Sequence, residues 1–140
     1  MKRTGERHSS DTGRDVTDFS ITSERLAGHS NGVVNRVTGE LDMRTTPNFR
    51  EDFTAAVGPN ATHVLVDLQG VTFIDSHNLG TFVGAWQKIR SRGGWIGLVS
   101  AAPYVTRVFQ VTNLDKLFRF FDSEQAYMQC LADESKQPQK

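Results

Sequence analysis

The chain is 140 residues long, and its 16 lysines and arginines balance its 16 aspartates and glutamates. With no net charge, no overall field draws it to nucleic acid or to an anionic membrane. Its one cysteine, Cys130, excludes an internal disulfide and gives no sign of an oxidising compartment.

The apolar share is 37%, below that of an ordinary folded domain. The apolar residues cluster between Phe19 and Leu131, so polar ends attached to a normal core account for the shortfall. The start, Met1-Lys2-Arg3-Thr4-Gly5, lacks the apolar stretch of a signal peptide, and no run approaches membrane-spanning length. A soluble, cytoplasmic protein without membrane insertion is expected.

Residues 1–18 are polar and show no apolar periodicity, which predicts a disordered N-terminal tail. The last stretch, 133–140, reads the same way, leaving one domain over 19–132. Phe19 to Leu26 alternates loosely, as a half-buried edge strand does. Asn31-Gly32 signals a turn into a second strand carrying Val33, Val34 and Val37, so a hairpin is predicted. A helix follows: Thr46 can cap it, Pro47 suits the first helical position, and Phe49, Phe53, Ala56 and Val57 recur at helical spacing. Gly58-Pro59 ends it.

His63 to Leu68 is almost continuously apolar, the mark of a strand covered on both faces in a parallel or mixed sheet. Phe73-Ile74 lead into a second helix, with Leu79, Phe82, Val83, Trp86 and Ile89 on one stripe. Gly93-Gly94 stops that helix and Trp95 to Val99 forms another buried strand. A third helix opens at Pro103 and carries Val105, Val108 and Phe109. Asn113 resembles a left-handed C-terminal cap. Leu117 to Phe121 is a last short strand, and Asp122 with Gln125 forms a capping box for a final helix through Leu131. Strands alternating with helices predict an α/β sheet flanked by helices.

One position looks chemical. Ser76 stands where a strand ends and a helix starts, a place with unpaired N–H groups and partial positive charge. It can cap the helix, or carry a phosphate that meets those donors while Asp75 repels it. Gly80 and Gly84 continue the helical line from Ser76, and each costs about 1 kcal/mol relative to alanine inside a helix. Two on one stripe predict close packing, either within the domain or by a partner.

The segments Gly39-Glu40-Leu41-Asp42, Val66-Asp67-Leu68, Phe73-Ile74-Asp75-Ser76 and Leu79-Gly80 resemble the STAS domain of bacterial anti-sigma-factor antagonists. Arg92-Gly93-Gly94, Pro103 and Val111-Thr112-Asn113-Leu114-Asp115-Lys116-Leu117-Phe118 continue the likeness in the right order. The resemblance implies a STAS fold: a mixed β-sheet of about four to five strands with four flanking helices. It also implies partner switching. The unphosphorylated antagonist binds an anti-sigma factor with serine kinase activity and so frees a sigma factor. Phosphorylation at Ser76 ends that binding, and a serine phosphatase of the metal-dependent class reverses it. Asp42 matches the acidic loop residue beside the serine, and the implied docking residues are Asp42, Asp75, Ser76, His77, Asn78, Gly80, Thr81 and Gly84. No cofactor and no nucleic acid are implied.

The family pattern has Ser or Thr and then Gly after the phosphorylated serine, where this chain has His77 and Asn78. Asn78 adds bulk where glycine would admit a partner's backbone, and His77 adds a titratable ring. An enzyme is a poor alternative. Adjacent helical residues such as Ser76 and His77 point about 100 degrees apart, no metal-ligand spacing links the histidines, and no G-x-S-x-G elbow or P-loop occurs. A constitutive STAS subunit of a membrane transport or lipid-trafficking complex, with Ser76 as a plain cap, is the second reading. A large stress-sensing assembly would need a sensory domain bigger than residues 1–18.

Overall fold

The computed structural model describes residues 2–5, 19–26, 28–29, 31–100 and 102–136. Its strands are β1 (Lys2–Gly5), β2 (Phe19–Arg25), β3 (Gly32–Leu41), β4 (His63–Ile74), β5 (Trp95–Val99) and β6 (Arg119–Phe121), and its helices α1 (Thr46–Val57), α2 (Ser76–Ser91), α3 (Pro103–Val111) and α4 (Glu124–Lys136). The strands lie in the sheet in chain order. β1, β2 and β3 are antiparallel neighbours, whereas β3 to β6 run parallel. β2 to β6 with the four helices are the expected mixed α/β arrangement.

Each parallel step needs a crossover, and crossovers of one hand in one direction put their helices on one face of the sheet. The packing agrees. Phe49 and Phe53 of α1, Phe82 of α2 and Phe109 of α3 join Val64, Val66, Leu68, Ile96 and Leu98 in the larger core. α4 has no further strand to reach and packs on the opposite face, where Tyr127 and Leu131 meet Val34, Leu65 and Val99. Alternate residues of β4 therefore serve two cores, which explains its unbroken apolar run. Gly97 is required on the α4 side, because a Cβ there would press into the rings of Tyr127 and Phe121.

Several expectations need correction. Within the predicted N-terminal tail, Lys2–Gly5 pair antiparallel with β2 as a sixth strand; the outer edge of β2 offers free N–H and C=O groups that a short polar strand can satisfy. Residues 6–18 and 137–140 lie outside the described residues. α4 does not end at Leu131 but continues to Lys136. Arg119 pairs with Glu134 at 2.8 Å, and Gln129 bonds Asp133 at 3.0 Å, so the last turns are tied down by polar contacts rather than by the apolar stripe. The cap of α4 is Ser123, whose Oγ accepts from Ala126 N at 3.0 Å. Helix α1 is preceded by Thr45 rather than capped by Thr46. Asn113 is left-handed as expected, at φ 62°.

Candidate docking site at the start of helix α2

Parallel strands β3 and β4 finish together, with Leu41 opposite Ile74. The register continues one step further, since Asp75 N donates to Leu41 O at 3.1 Å. The loop leaving β3 and the first turn of α2 are thereby held side by side at the C-terminal end of the parallel strands, the usual place for a functional site in an open α/β sheet.

Asp75, not Ser76, caps α2. Its backbone is extended, and its Oδ1 accepts from His77 N at 3.0 Å and Asn78 N at 3.3 Å. A carboxylate is a strong cap because it satisfies free N–H groups and sits at the positive end of the helix. Ser76 is therefore the first helical residue. It is exposed, and its hydroxyl makes no hydrogen bond among the described residues. His77 is exposed as well, with Nδ1 3.6 Å from Asp75 Oδ2.

Asn78 is fully buried. Its Nδ2 donates to Asp75 Oδ1 at 3.0 Å and to the Asp42 carbonyl at 3.2 Å. It is thus a clamp between the β3–α1 loop and the cap of α2, and its expected place on the docking surface is corrected: the side chain points inward, so it adds no bulk outside. Asp42 presents a carboxylate beside the site, but Arg44 holds it, through the backbone N–H at 2.9 Å and Nη2 at 2.9 Å. Thr45 braces the same loop by accepting from Asp42 N at 3.0 Å.

Gly80 and Gly84 pack against nothing: a Cβ at either would find no atom within 4 Å. Close packing inside the domain therefore does not explain the stripe. Thr81 is 7% exposed, so it faces a groove floor rather than an outer surface. Asp42, Asp75, Ser76 and His77 form one cluster, and Gly80, Thr81 and Gly84 lead from it along α2.

Sequence reasoning missed three surface residues. Met43 is 64% exposed, Phe73 38% and Tyr104 45%. Phe73 and Tyr104 stack with ring centroids 5.7 Å apart, and Tyr104 Oη donates to Ile74 O at 3.2 Å. Each follows, or lies at, the end of a parallel strand next to the Ser76 turn. Exposed Met and aromatic side chains in one region are what a protein interface uses. A motif search favours polar residues; the signal for these was an apolar residue at the tip of a strand, where no core can cover it. Among the described residues no group of three or more metal-binding side chains occurs, and no helix is long and apolar enough to cross a membrane.

The model of the STAS domain matches residues 24–127, and the chain belongs to the STAS-domain family. An anti-sigma F factor antagonist from Paenibacillus polymyxa is 30% identical over 98 residues, covering 69% of this chain and 84% of the relative. The crystal structure of an anti-sigma factor antagonist from Mycobacterium paratuberculosis is similar at TM-score 0.71 and 26% identity, over 83% of this chain and 96% of that one. SpoIIAA in its unphosphorylated form, also an anti-sigma factor antagonist, shares the fold at TM-score 0.63 and 22% identity, over 79% of this chain and 96% of that one. The relatives are thus anti-sigma factor antagonists.

Proposed function

We infer that this protein is a cytoplasmic anti-sigma-factor antagonist that binds an anti-sigma factor with serine kinase activity, releases a sigma factor, and is switched off by phosphorylation at Ser76. It is a binding protein, not an enzyme, and needs neither a cofactor nor nucleic acid. A serine phosphatase of the metal-dependent class resets it. One observation carries the reading: Asp75 does the capping, so the exposed Ser76 hydroxyl beside it has no structural task.

A phosphoserine adds about −1.5 to −2 charge at neutral pH. At Ser76 it would sit next to Asp75, at the end of the sheet where the strand tips carry Asp42 and the exposed Met43, Phe73 and Tyr104. The charge need not alter the fold. Repulsion from a partner's carboxylate, or lost apolar packing against those side chains, is sufficient. A hundredfold loss of affinity requires only about 2.7 kcal/mol. His77, exposed next to the hydroxyl, can contact the phosphate when protonated.

The test immobilises wild-type protein, Ser76→Ala and Ser76→Asp and compares, by mass spectrometry, what each captures from a lysate of the source organism. Incubation of wild type and Ser76→Ala with the captured kinase and ATP follows. The expected result is a serine-kinase anti-sigma factor held by wild type and Ser76→Ala, released by Ser76→Asp, with phosphate incorporated at Ser76 alone. Capture of transport or lipid-trafficking components, equal for all variants, would instead make the protein a constitutive subunit.

A further inference from the structure

We propose that the groove between α1 and α2 is a binding site for a small amphipathic anion, a carboxylate or phosphate carried on an apolar body. The groove adjoins the Ser76 cluster along α2 but its lining includes none of Asp42, Asp75, Ser76 and His77, and anion binding there does not require the switch.

The groove encloses about 630 Å³ between the C-terminal half of α1 and the exposed face of α2, within the range of small-ligand sites. It exists because of Gly80 and Gly84. Any larger residue at those positions would project into open space, and the two glycines weaken the helix relative to alanine without intramolecular packing in return. The walls include Val57, Pro59 and Ala85, which are apolar.

A further observation points to a ligand. The lining holds three cations, Arg50, Lys88 and Arg92, and no carboxylate. Arg50 and Lys88 form no ion pair among the described residues. Arg92 is fixed in position by its Nη1, which donates to Ala61 O at 3.0 Å and Gly58 O at 3.4 Å; its other nitrogens remain for an anion. Cations over an apolar cleft recognise a negatively charged head joined to a hydrocarbon body, because burial of the body adds to a charge-assisted hydrogen bond at the head.

The experiment titrates the full chain with octanoate, octyl phosphate and octanol, read by amide chemical shifts and calorimetry. At least one anion should bind saturably and shift the amides of Gly80, Thr81 and Gly84, with octanol at least tenfold weaker; the stronger of the two anions identifies the head group. Gly84→Leu, which fills the groove, should abolish binding, and Lys88→Glu, a change at an exposed residue that leaves packing alone, should weaken it at least tenfold. Ser76→Asp should bind the anion as wild type does, so loss of the switch and loss of the groove are read separately. Absence of saturable binding by both anions, equal binding of octanol, or shifts confined to other residues would overturn the proposal. So would loss of anti-sigma-factor capture in Gly84→Leu without anion binding by wild type, because the groove would then belong to a protein partner.

Discussion

Asp75, Ser76 and Asn78 stand within one turn of each other, yet their side chains do different work, and stability measurements separate them. Asp75→Ala removes the acceptor for two backbone N–H groups and one Asn78 donor, so it should cost about 1 kcal/mol or more. Asn78→Ala removes the bonds that this buried amide donates to Asp75 and to the Asp42 carbonyl; Thr45 N and Thr46 Oγ1 still serve that carbonyl, so about 1 kcal/mol is expected. Ser76→Ala breaks no bond and should leave stability within about 0.5 kcal/mol of wild type. Chemical denaturation of the three variants checks the order; a Ser76→Ala variant as unstable as Asp75→Ala would mean that Ser76 is structural. From sequence, the position of Ser76 at a strand-to-helix turn was legible, because Phe73-Ile74 and the Leu79 stripe bracket it. The division of labour was not. Asp and Ser are both good caps, and only the extended backbone of Asp75 decides which residue is outside the helix. Asn78 misled for a related reason: its partner, the Asp42 carbonyl, is brought near by the parallel pairing of β3 with β4, which local spacing does not encode.

At the scale of elements, β2, β3, β4 and α4 are joined on the α4 face by a charged network. Arg36 Nε and Nη2 donate to Glu124 at 2.8 and 2.9 Å, and Nη1 donates to Glu24 at 2.8 Å. Asp67, 8% exposed, lies beside Glu124. Burial first, and then its bond to Glu124, push the Asp67 carboxyl up to about 6. Arg36 holds Glu124 below the usual carboxylate range. The two shifts act in opposite senses. A raised carboxyl stabilises the fold only while protonated, so Asp67 contributes at low pH and that contribution is lost as pH rises through about 6. Glu124, being lowered, contributes above its unfolded value and loses this as pH falls. Asp67→Asn keeps the shape and remains neutral. Its melting temperature should therefore exceed that of wild type at about pH 8, by the equivalent of about 1 kcal/mol, and the gap should close near pH 4. A constant gap across that range would show that Asp67 ionises freely. The nearly continuous apolar run that predicts β4 was plain in sequence, but the aspartate inside it carried no hint of its partners on α4, which are far away in the chain.

For the molecule as a whole, the order of strands and helices followed from periodicity, capping residues and glycine stops, since those are local properties. The extra strand β1 and the extended end of α4 rest on a free sheet edge and on polar tethers, for which composition gives no signal. Nor did sequence mark the apolar surface of the candidate docking site: Met43, Phe73 and Tyr104 carry no motif, and they stand out only because the crossovers leave them uncovered at the strand tips. If they are the anchors of the partner, Phe73→Ala and Tyr104→Ala should each weaken binding of the captured anti-sigma factor about tenfold or more, while leaving Asp42→Ala a smaller effect because Arg44 already holds that carboxylate. Titration of the purified pair checks this, and near wild-type affinity for both aromatic variants would move the interface elsewhere.

The brevity of the outer strands bears on how partners can be exchanged. β1 has four residues and β6 three, and short edges give an incoming chain little ladder to extend. Recruitment by strand addition would be a main-chain contract, stable and largely indifferent to a single side chain. With that route curtailed, the loops and helix starts above the parallel strands are left for association, and the proposed switch puts one hydroxyl in that contact. The proposed switch, in which a partner leaves when a single serine changes charge, would be well served by edges too short to hold on by backbone alone.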